Sequence, residues 1–237
     1  MPTTMDAAVR GCVDAIDRTF GGVFELIDSW RTLIEAYVDQ QDGSPAVDNL
    51  DRVVESITVP ALSVDGALVI GAGFVAVPGF LPDAEWHLAW WLGHANTFGL
   101  GSADPTIRRL VAEEDPTSDS FRDYTTLEWW RVPTTTGARH ITGPYVDYLC
   151  TDDYTLTLTV PAYNGARLIG VVGADLYVND VERALLAHLR GLDAATIVNA
   201  SGRVVASTDP HRPTGSLLRG ASDRIPCSIA GLALVLT

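Results

Sequence analysis

The 237-residue chain contains no lysine, and all sixteen of its basic residues are arginine. This absence excludes lysine Schiff bases, a phosphate-loop lysine and lysine general bases from any chemistry of the protein. The net charge of −14 argues against the basic patch that a nucleic-acid-binding surface needs. We therefore expect no nucleic-acid partner.

Membrane-targeting and metal-binding patterns are missing as well. The N-terminal region carries acids without the basic start and apolar core of a signal peptide, and the longest apolar runs have strand length. The cysteines Cys12, Cys150 and Cys227 are far apart and odd in number, so they predict neither a zinc site nor a disulfide framework. The five histidines show no metal-binding spacing. We expect a cytoplasmic protein without a membrane partner, metal or cofactor.

The clearest periodicity lies in residues 5–40. Apolar side chains form an a/d stripe over four heptads there, which predicts a long helix. The stripe consists of Val9, Val13, Ile16, Phe20, Val23, Ile27, Trp30, Ile34 and Tyr37. Such a stripe serves either a dimer interface or packing of the helix on its own domain, and both hold if the helix uses two faces. We expect a homodimer through this helix.

A β-hairpin is predicted around the Asn-Gly dipeptide at residues 164–165, a strong signal for a two-residue turn. A tight turn there places Tyr163 opposite Ala166 and, in the same register, Tyr154 opposite Asp175. A β-bulge would shift this register by one residue and remove the placement.

Asp175 is the one acid in an otherwise apolar strand of this hairpin. In the predicted register it lies on the same face as Leu156, Leu158 and Val160. Burying a lone carboxylate costs on the order of several kcal/mol, so Asp175 needs hydrogen bonds or a cationic partner. The strand therefore indicates either a site for a positively charged group, which we favour, or a structural acid that is hydrogen-bonded to backbone amides or to Tyr154.

The predicted pattern of secondary structure changes near residue 190. Before it lies the hairpin followed by a helix signal, and after it come a strand, a Ser-Gly turn, a second strand, a polar loop and two closing strands. We expect three parts: a long helix in residues 1–45, a ligand-binding module in residues 46–190 and a small module in residues 191–237.

Several elements occur in a fixed order in residues 127–178. They are Trp-Trp, Gly-Pro-Tyr-Val-Asp, a Tyr-rich strand and Gly-Val-Val-Gly-Ala-Asp. Together they resemble the ligand-binding module of Cache domains, especially the double-Cache type, and the later V-N-A-S-G-R-V-V-A-S-T-D-P resembles the smaller second module of that family. The resemblance implies an α+β fold with a long N-terminal helix, a PAS-like antiparallel sheet and a smaller second α/β module. It also implies that the protein senses a small molecule.

The resemblance further implies a ligand site. Trp129 matches the family tryptophan, and Tyr145, Asp147 and Asp175 match the positions that hold the ammonium group of a ligand. The aromatic rings nearby would add cation–π contacts. The full set of expected ligand-binding residues is Tyr124, Trp129, Trp130, Tyr145, Asp147, Tyr154 and Asp175.

Leu127 stands where the amino-acid-binding members carry an arginine that grips the ligand carboxylate. Because a bidentate grip needs a guanidinium, Leu127 favours a ligand with an amine and no α-carboxylate, unless Arg122 or Arg131 substitutes from another angle.

We expect a stand-alone soluble sensor, not an enzyme, that binds a small organic amine or amino-acid-like molecule and signals through an unidentified regulator. Two alternatives stay open. One is a small hydrolase with paired acids and a histidine, although the sequence lacks a G-x-S-x-G elbow, a phosphate loop and a dinucleotide fingerprint. The other is a dimeric interaction protein with a vestigial pocket.

Overall fold

The computed structural model describes residues 6–98, 106–147, 151, 153–192, 194–220, 223–229 and 231–236. The helices are α1 (Ala7–Asp39), α2 (Val47–Leu62), α3 (Glu128–Thr136) and α4 (Val178–Leu189), with a 3₁₀ turn at Tyr124–Thr126. The strands are β1 (Val69–Ala76), β2 (Leu88–Leu92), β3 (Arg108–Arg109), β4 (His140–Val146), β5 (Tyr154–Asn164), β6 (Arg167–Tyr177), β7 (Ala195–Asn199), β8 (Val204–Ser207), β9 (Arg224–Pro226) and β10 (Leu232–Leu236).

These strands form two antiparallel sheets. The main sheet has six strands in the order β3-β2-β1-β6-β5-β4, and the smaller sheet has four in the order β8-β7-β10-β9. The long N-terminal helix, the antiparallel main sheet and the smaller second sheet confirm the predicted α+β class. The exact boundaries of the three predicted parts stay predictions.

Helix α1 packs its apolar stripe against the rest of the chain. The side chain of Asp6 caps the helix by accepting a hydrogen bond from the N–H of Ala8 at 3.1 Å. Every residue of the predicted stripe is buried except Tyr37, which is partly buried. The partners of α1 include β5, β6 and α4. The stripe therefore serves packing within the chain, and only the outer face of α1 is left for a dimer contact.

The main sheet has two chemically different faces, because successive side chains along a strand point to opposite sides. One face, the core face, carries aliphatic residues such as Leu158 and Ala174 and belongs to the hydrophobic core that contains α1, α2 and α4. The other face, which we call the site face, carries Trp90, Thr157 and Asp175. Helix α3 and the segment before it lie over the site face, since their side chains share a second cluster with Trp90.

The register of the β5–β6 hairpin differs from the sequence-based prediction. The turn lies at residues 165–166, one position later than predicted, and a β-bulge then places the extra residue Ile169 in β6. As a result Asp175 pairs with Thr157 and not with Tyr154. Because a shift of one residue exchanges the two faces, the bulge moves Asp175 from the predicted leucine face to the threonine face.

The smaller sheet shares the core of the main sheet. Ile197, Val205 and Leu234 belong to the same hydrophobic cluster as the buried stripe of α1. The buried amide of Asn199, at the end of β7, donates a hydrogen bond to the carbonyl oxygen of Gly143 in β4 at 2.6 Å. In the described ranges, none of the helices combines the length and apolar character needed to cross a membrane.

Candidate ligand-binding site

A small cavity lies on the site face of the main sheet. Its volume is about 20 Å³, which suits a group of the size of a water molecule or an ammonium. A larger ligand therefore requires a covering side chain to move. The cavity is lined by Val75, Leu88, Trp90, Leu110, Trp129, Asp147, Thr157 and Asp175.

Two acids line this otherwise apolar cavity, and two hydroxyl groups connect them. The Thr157 hydroxyl donates to Oδ1 of Asp175 at 2.7 Å, and the Tyr145 hydroxyl lies 2.8 Å from the Thr157 hydroxyl. The Tyr145 hydroxyl also lies 3.1 Å from Oδ2 of Asp147. Both carboxyl groups thus accept from a hydroxyl on the site face. A carboxylate has several acceptor sites, so each can also accept from the donors of a ligand.

Both acids are buried. Asp147 is 7% exposed and Asp175 is 1% exposed. A buried carboxylate is stabilised by a nearby cation or by donated hydrogen bonds, and no arginine or histidine is among the described residues that line the cavity. The site thus brings two carboxyl groups together in a place of low polarity. A protonated amine, with up to three N–H donors, complements both the charge and the hydrogen-bonding pattern.

Helix α3 holds Trp129 over the cavity through an internal proline. Pro133 has no N–H, so the carbonyl of Trp129, four residues earlier, has no helical donor. The hydroxyl of Thr159 on β5 donates to that carbonyl at 2.8 Å and takes the place of the missing bond. The proline and the threonine together fix α3, and with it Trp129, to the main sheet.

Tyr124 and Trp130 support Trp129 and do not line the cavity. The ring of Tyr124 stacks on Trp129 with centroids 6.3 Å apart and lies 5.1 Å from the ring of Trp130. Its hydroxyl donates to the carbonyl of Ala76 at 2.8 Å, and burial raises the pKa of Tyr124 well above its usual value. In this structure the two rings thus lie behind Trp129 and not at the cavity, and a direct cation–π contact from either ring stays a prediction.

Tyr154 lies outside the site, and its predicted place beside Asp175 is wrong. Its side chain is 47% exposed. Its ring lies against Gly215, where an added Cβ would be 3.2 Å from Cε1 of Tyr154. The physical reason is that the turn lies one position later than predicted and the β-bulge adds one residue, so that Asp175 pairs with Thr157.

Leu127 has no arginine substitute at the cavity. Leu127 itself is partly buried and packs against the aromatic cluster around Trp129. Arg122 is exposed and donates to the carbonyl oxygens of Asp119 and Phe121 at 3.1 and 2.9 Å. Arg131 is exposed on α3. Neither arginine is among the residues that line the cavity.

Reasoning from the sequence missed several residues of the site. Thr157 could have been predicted from the sequence. The alternation T-L-T-L-T in β5 marks a polar face, and its hydroxyl groups are suitable hydrogen-bond donors to a buried acid on the next strand. Trp90 and Leu110 carry no such signal, since their place at the cavity depends on the long-range pairing of β2 with β1 and β3.

A second cluster of charged side chains connects helix α2 to the segment that contains Leu110. The imidazole of His87 is 1% exposed and lies 2.7 Å from Oδ1 of Asp51 and 2.8 Å from Oε1 of Glu114. Arg109 forms an ion pair with the other oxygen of Asp51 at 2.8 Å. Burial alone would lower the pKa of His87, but the two carboxylates reverse this and raise it to about 9. His87 is thus a buried cation that links α2 to residues 106–123.

The part of the chain that the structure describes offers no cluster of metal-ligating side chains. No group of three or more metal-ligating side chains was found there. The described residues that line the cavity include no histidine, cysteine or serine.

Comparison with known proteins supports a Cache-type, or PDC, sensor domain. Residues 109–183 match the family model for the first PDC sensor domain of methyl-accepting chemotaxis protein-like proteins. The methyl-accepting chemotaxis protein PctB of Pseudomonas aeruginosa is 30% identical over 121 residues, which are 50% of this chain and 18% of that protein. The matched region thus spans less than a fifth of the length of this relative.

Solved structures share the fold. The ligand-binding domain of the Pseudomonas fluorescens chemoreceptor CtaA, in complex with L-valine, aligns with a TM-score of 0.62 and 17% identity over 95% of this chain and 91% of that one. The corresponding domain of PctC from P. aeruginosa, in complex with GABA, aligns with a TM-score of 0.55 and 16% identity over 94% and 93% of the two chains. At such identities the similarity concerns the fold. The double-Cache subtype, the stand-alone state and the cytoplasmic location stay predictions.

Proposed function

We propose that this chain is a ligand-binding sensor module that recognises a small organic amine or amino-acid-like molecule and passes the signal to a regulator. The observation that carries the proposal is the pair of buried carboxylates, Asp147 and Asp175, which line one cavity and are connected through Thr157 and Tyr145. The matches to chemoreceptor sensor domains support the same function. On this proposal the protein is not an enzyme.

The charge of the cavity favours an amine without an α-carboxylate. A ligand ammonium between Asp147 and Asp175 makes charge-assisted hydrogen bonds that shorten and strengthen in the absence of water. An α-carboxylate would be buried beside these two acids without a guanidinium to compensate it, because Leu127 occupies the position where the resemblance expects an arginine. The relatives crystallised with valine and GABA bind amino acids, so this chain would differ from them in the acid-binding half of the site.

The packing of α1 gives a route by which binding could be transmitted. Asp175 lies on the site face of β6, and its neighbours Ala174 and Leu176 lie on the core face that α1 packs against. A ligand that draws Asp175 towards Asp147 therefore acts on a strand in direct contact with α1. We propose that α1 carries the change to a partner, whose identity is open.

We also propose that the chain forms a homodimer through the outer face of α1. Leu26 and Leu33 lie seven residues apart on this face and are 39% and 51% exposed. The small exposed residues Gly22, Ser29 and Ala36 continue the same stripe and permit close approach of a second helix. This face is separate from the buried stripe of the helix.

The ligand class is tested by thermal unfolding with a panel of small primary amines and amino acids. A ligand at a hundred times its Kd should stabilise the protein by about 2.7 kcal/mol, or roughly 5–10 °C in Tm. The Asp175→Asn variant, which keeps the shape and an acceptor for Thr157, should lose the shift, whereas the exposed Asp42→Asn variant should keep it. The proposal fails if no member of the panel raises the Tm of the wild-type protein.

A further inference from the structure

Trp90 presents an unused hydrogen-bond donor to the cavity. Its side chain is 6% exposed, it lines the cavity, and its Nε1–H has no hydrogen-bond partner. A buried donor without an acceptor is costly, and most such groups in folded proteins are satisfied by protein, water or ligand. Trp90 lies outside residues 109–183, the part of the chain that the family model matches.

Glycines on the neighbouring strands make room for the indole of Trp90 and fix its direction. Trp90 pairs with Gly73 on β1, and Gly73 pairs in turn with Gly173 on β6. A Cβ at Gly173 would lie 3.3 Å from Cη2 of Trp90, and a Cβ at Gly71 would lie 2.9 Å from its Nε1. The ring therefore lies flat across β1 and β6. Substituents larger than hydrogen at these positions would displace it.

This orientation brings the indole N–H close to Asp175. The same Cβ position at Gly71 is 3.3 Å from Oδ2 of Asp175, so the separation of that oxygen from Nε1 of Trp90 is at most the sum of the two distances. The two atoms are not hydrogen-bonded to each other, since Nε1 has no partner. Asp175 offers an acceptor and Trp90 offers a donor at neighbouring points of one cavity.

We infer that the ligand carries a neutral oxygen, a hydroxyl or carboxamide group, a short distance from its ammonium group, and that this oxygen accepts the Nε1–H of Trp90. The inference rests on the proposed amine site and narrows its ligand class. With hydrogen bonds of about 2.9 Å at each end, a spacer of about two carbon atoms joins two points this close together along a bent path. The oxygen is neutral because the described lining holds two acids and no cation to balance a ligand carboxylate.

The same indole would reject related ligands for different reasons. A plain alkylamine fills the amine site but leaves the indole N–H without an acceptor. Because a buried donor without an acceptor is unfavourable, such a ligand binds more weakly than one that supplies the acceptor. An amino acid supplies an acceptor but adds a third negative charge next to Asp147 and Asp175. A neutral oxygen on the ligand satisfies the donor without adding charge.

The experiment compares ethanolamine with propylamine, which has a methyl group in place of the hydroxyl, by calorimetric titration of the full chain. The wild-type protein should bind ethanolamine at least fivefold more tightly, and Trp90→Phe should bring the ratio of the two Kd values close to one. Trp91→Phe, on the other face of the same strand, should keep the wild-type ratio. Glycine should bind more weakly than glycinamide.

The outcomes separate this inference from the proposed function. If no amine binds, the proposed function itself fails. If both amines bind the wild-type protein equally, the amine site stands and the oxygen subsite is refuted, whether or not Trp90→Phe folds. If Trp90→Phe weakens both amines and leaves their ratio unchanged, Trp90 acts by packing, and the N–H of Trp90 has a water as its partner.

Discussion

Asp175 lies opposite Thr157 in the β5–β6 ladder, and the Thr157 hydroxyl donates to its Oδ1 at 2.7 Å. The Tyr145 hydroxyl lies 2.8 Å from the Thr157 hydroxyl and donates to Oδ2 of Asp147 at 3.1 Å. The threonine thus orients the acid and connects it to the tyrosine beside Asp147. The geometry of the amine site depends on this one side chain.

Replacement of Thr157 by valine should weaken both the fold and ligand binding. Valine keeps the shape but removes a hydrogen bond to a buried carboxylate, which is worth about 1.5–3 kcal/mol. Amine affinity should fall about tenfold or more by calorimetry, and the free energy of urea unfolding should fall by a similar energy. Thr155→Val, two residues away on the same face, serves as the control and should retain wild-type affinity. Equal amine affinities in the two variants would contradict the role assigned to Thr157.

The sequence predicted the general fold and the residue types of the site better than its geometry. The helix over residues 5–40 was predictable because its heptad stripe is long. The acids of the site were predictable because the order of the sequence motifs can be recognised without knowing how the chain packs. The register of the hairpin was not, since the β-bulge at Ile169 depends on pairing that local sequence does not encode. The later turn and that bulge together exchanged Tyr154 for Thr157 beside Asp175.

Residues whose position depends on contacts distant in sequence could not be predicted either. Trp90 reaches the cavity only because glycines on two strands distant in sequence leave space for its ring. Likewise, the partners of His87 are Asp51 on α2 and Glu114 in a different segment, at sequence separations of 36 and 27 residues. No periodicity or spacing along the chain links such residues.

The hydroxyl of Thr159 should matter only while Pro133 is present. Thr159→Val leaves the carbonyl of Trp129 buried without a donor and should lower the free energy of unfolding by about 1–3 kcal/mol. Pro133→Ala restores an N–H four residues after Trp129, so the double variant should recover part of this loss. Urea unfolding of the two single variants and the double variant measures the coupling. Strictly additive losses would show that the two side chains act independently.

The contribution of His87 to stability should decline as the pH rises. Its pKa is about 9 in the folded protein, against roughly 6.5 in an unfolded chain, so protonation favours the folded state. The contribution is complete below about pH 6.5 and is lost through pH 9, a change on the order of 3 kcal/mol. The groups that face the imidazole are Asp51 and Glu114, with Arg109 paired to Asp51.

Denaturant unfolding at several pH values between 6 and 10 checks this expectation. Wild-type protein should lose more stability over this range than His87→Gln, whose side chain does not titrate. His211→Gln, at an exposed position, should follow the wild-type curve. If His87→Gln and the wild-type protein lose the same stability with pH, the buried cation is not what holds residues 106–123.

A charge on the outer face of α1 should separate the proposed dimer. Leu33 is 51% exposed, and Leu33→Glu places a carboxylate opposite its own copy in a parallel helix pair. Light scattering should give a dimer mass for the wild-type protein and a monomer mass for the variant, with unchanged helix content by circular dichroism. Thr32→Glu, one residue away and exposed, should remain a dimer. A wild-type monomer at micromolar concentration would refute the dimer.

The most direct test of the amine site is a crystal structure of the full chain with the tightest-binding amine of the thermal panel. We predict that the ligand nitrogen lies within about 3 Å of a carboxylate oxygen of both Asp147 and Asp175, under the ring of Trp129. A ligand bound elsewhere, or one whose nitrogen contacts neither acid, would contradict the assignment of this cavity as the sensor site.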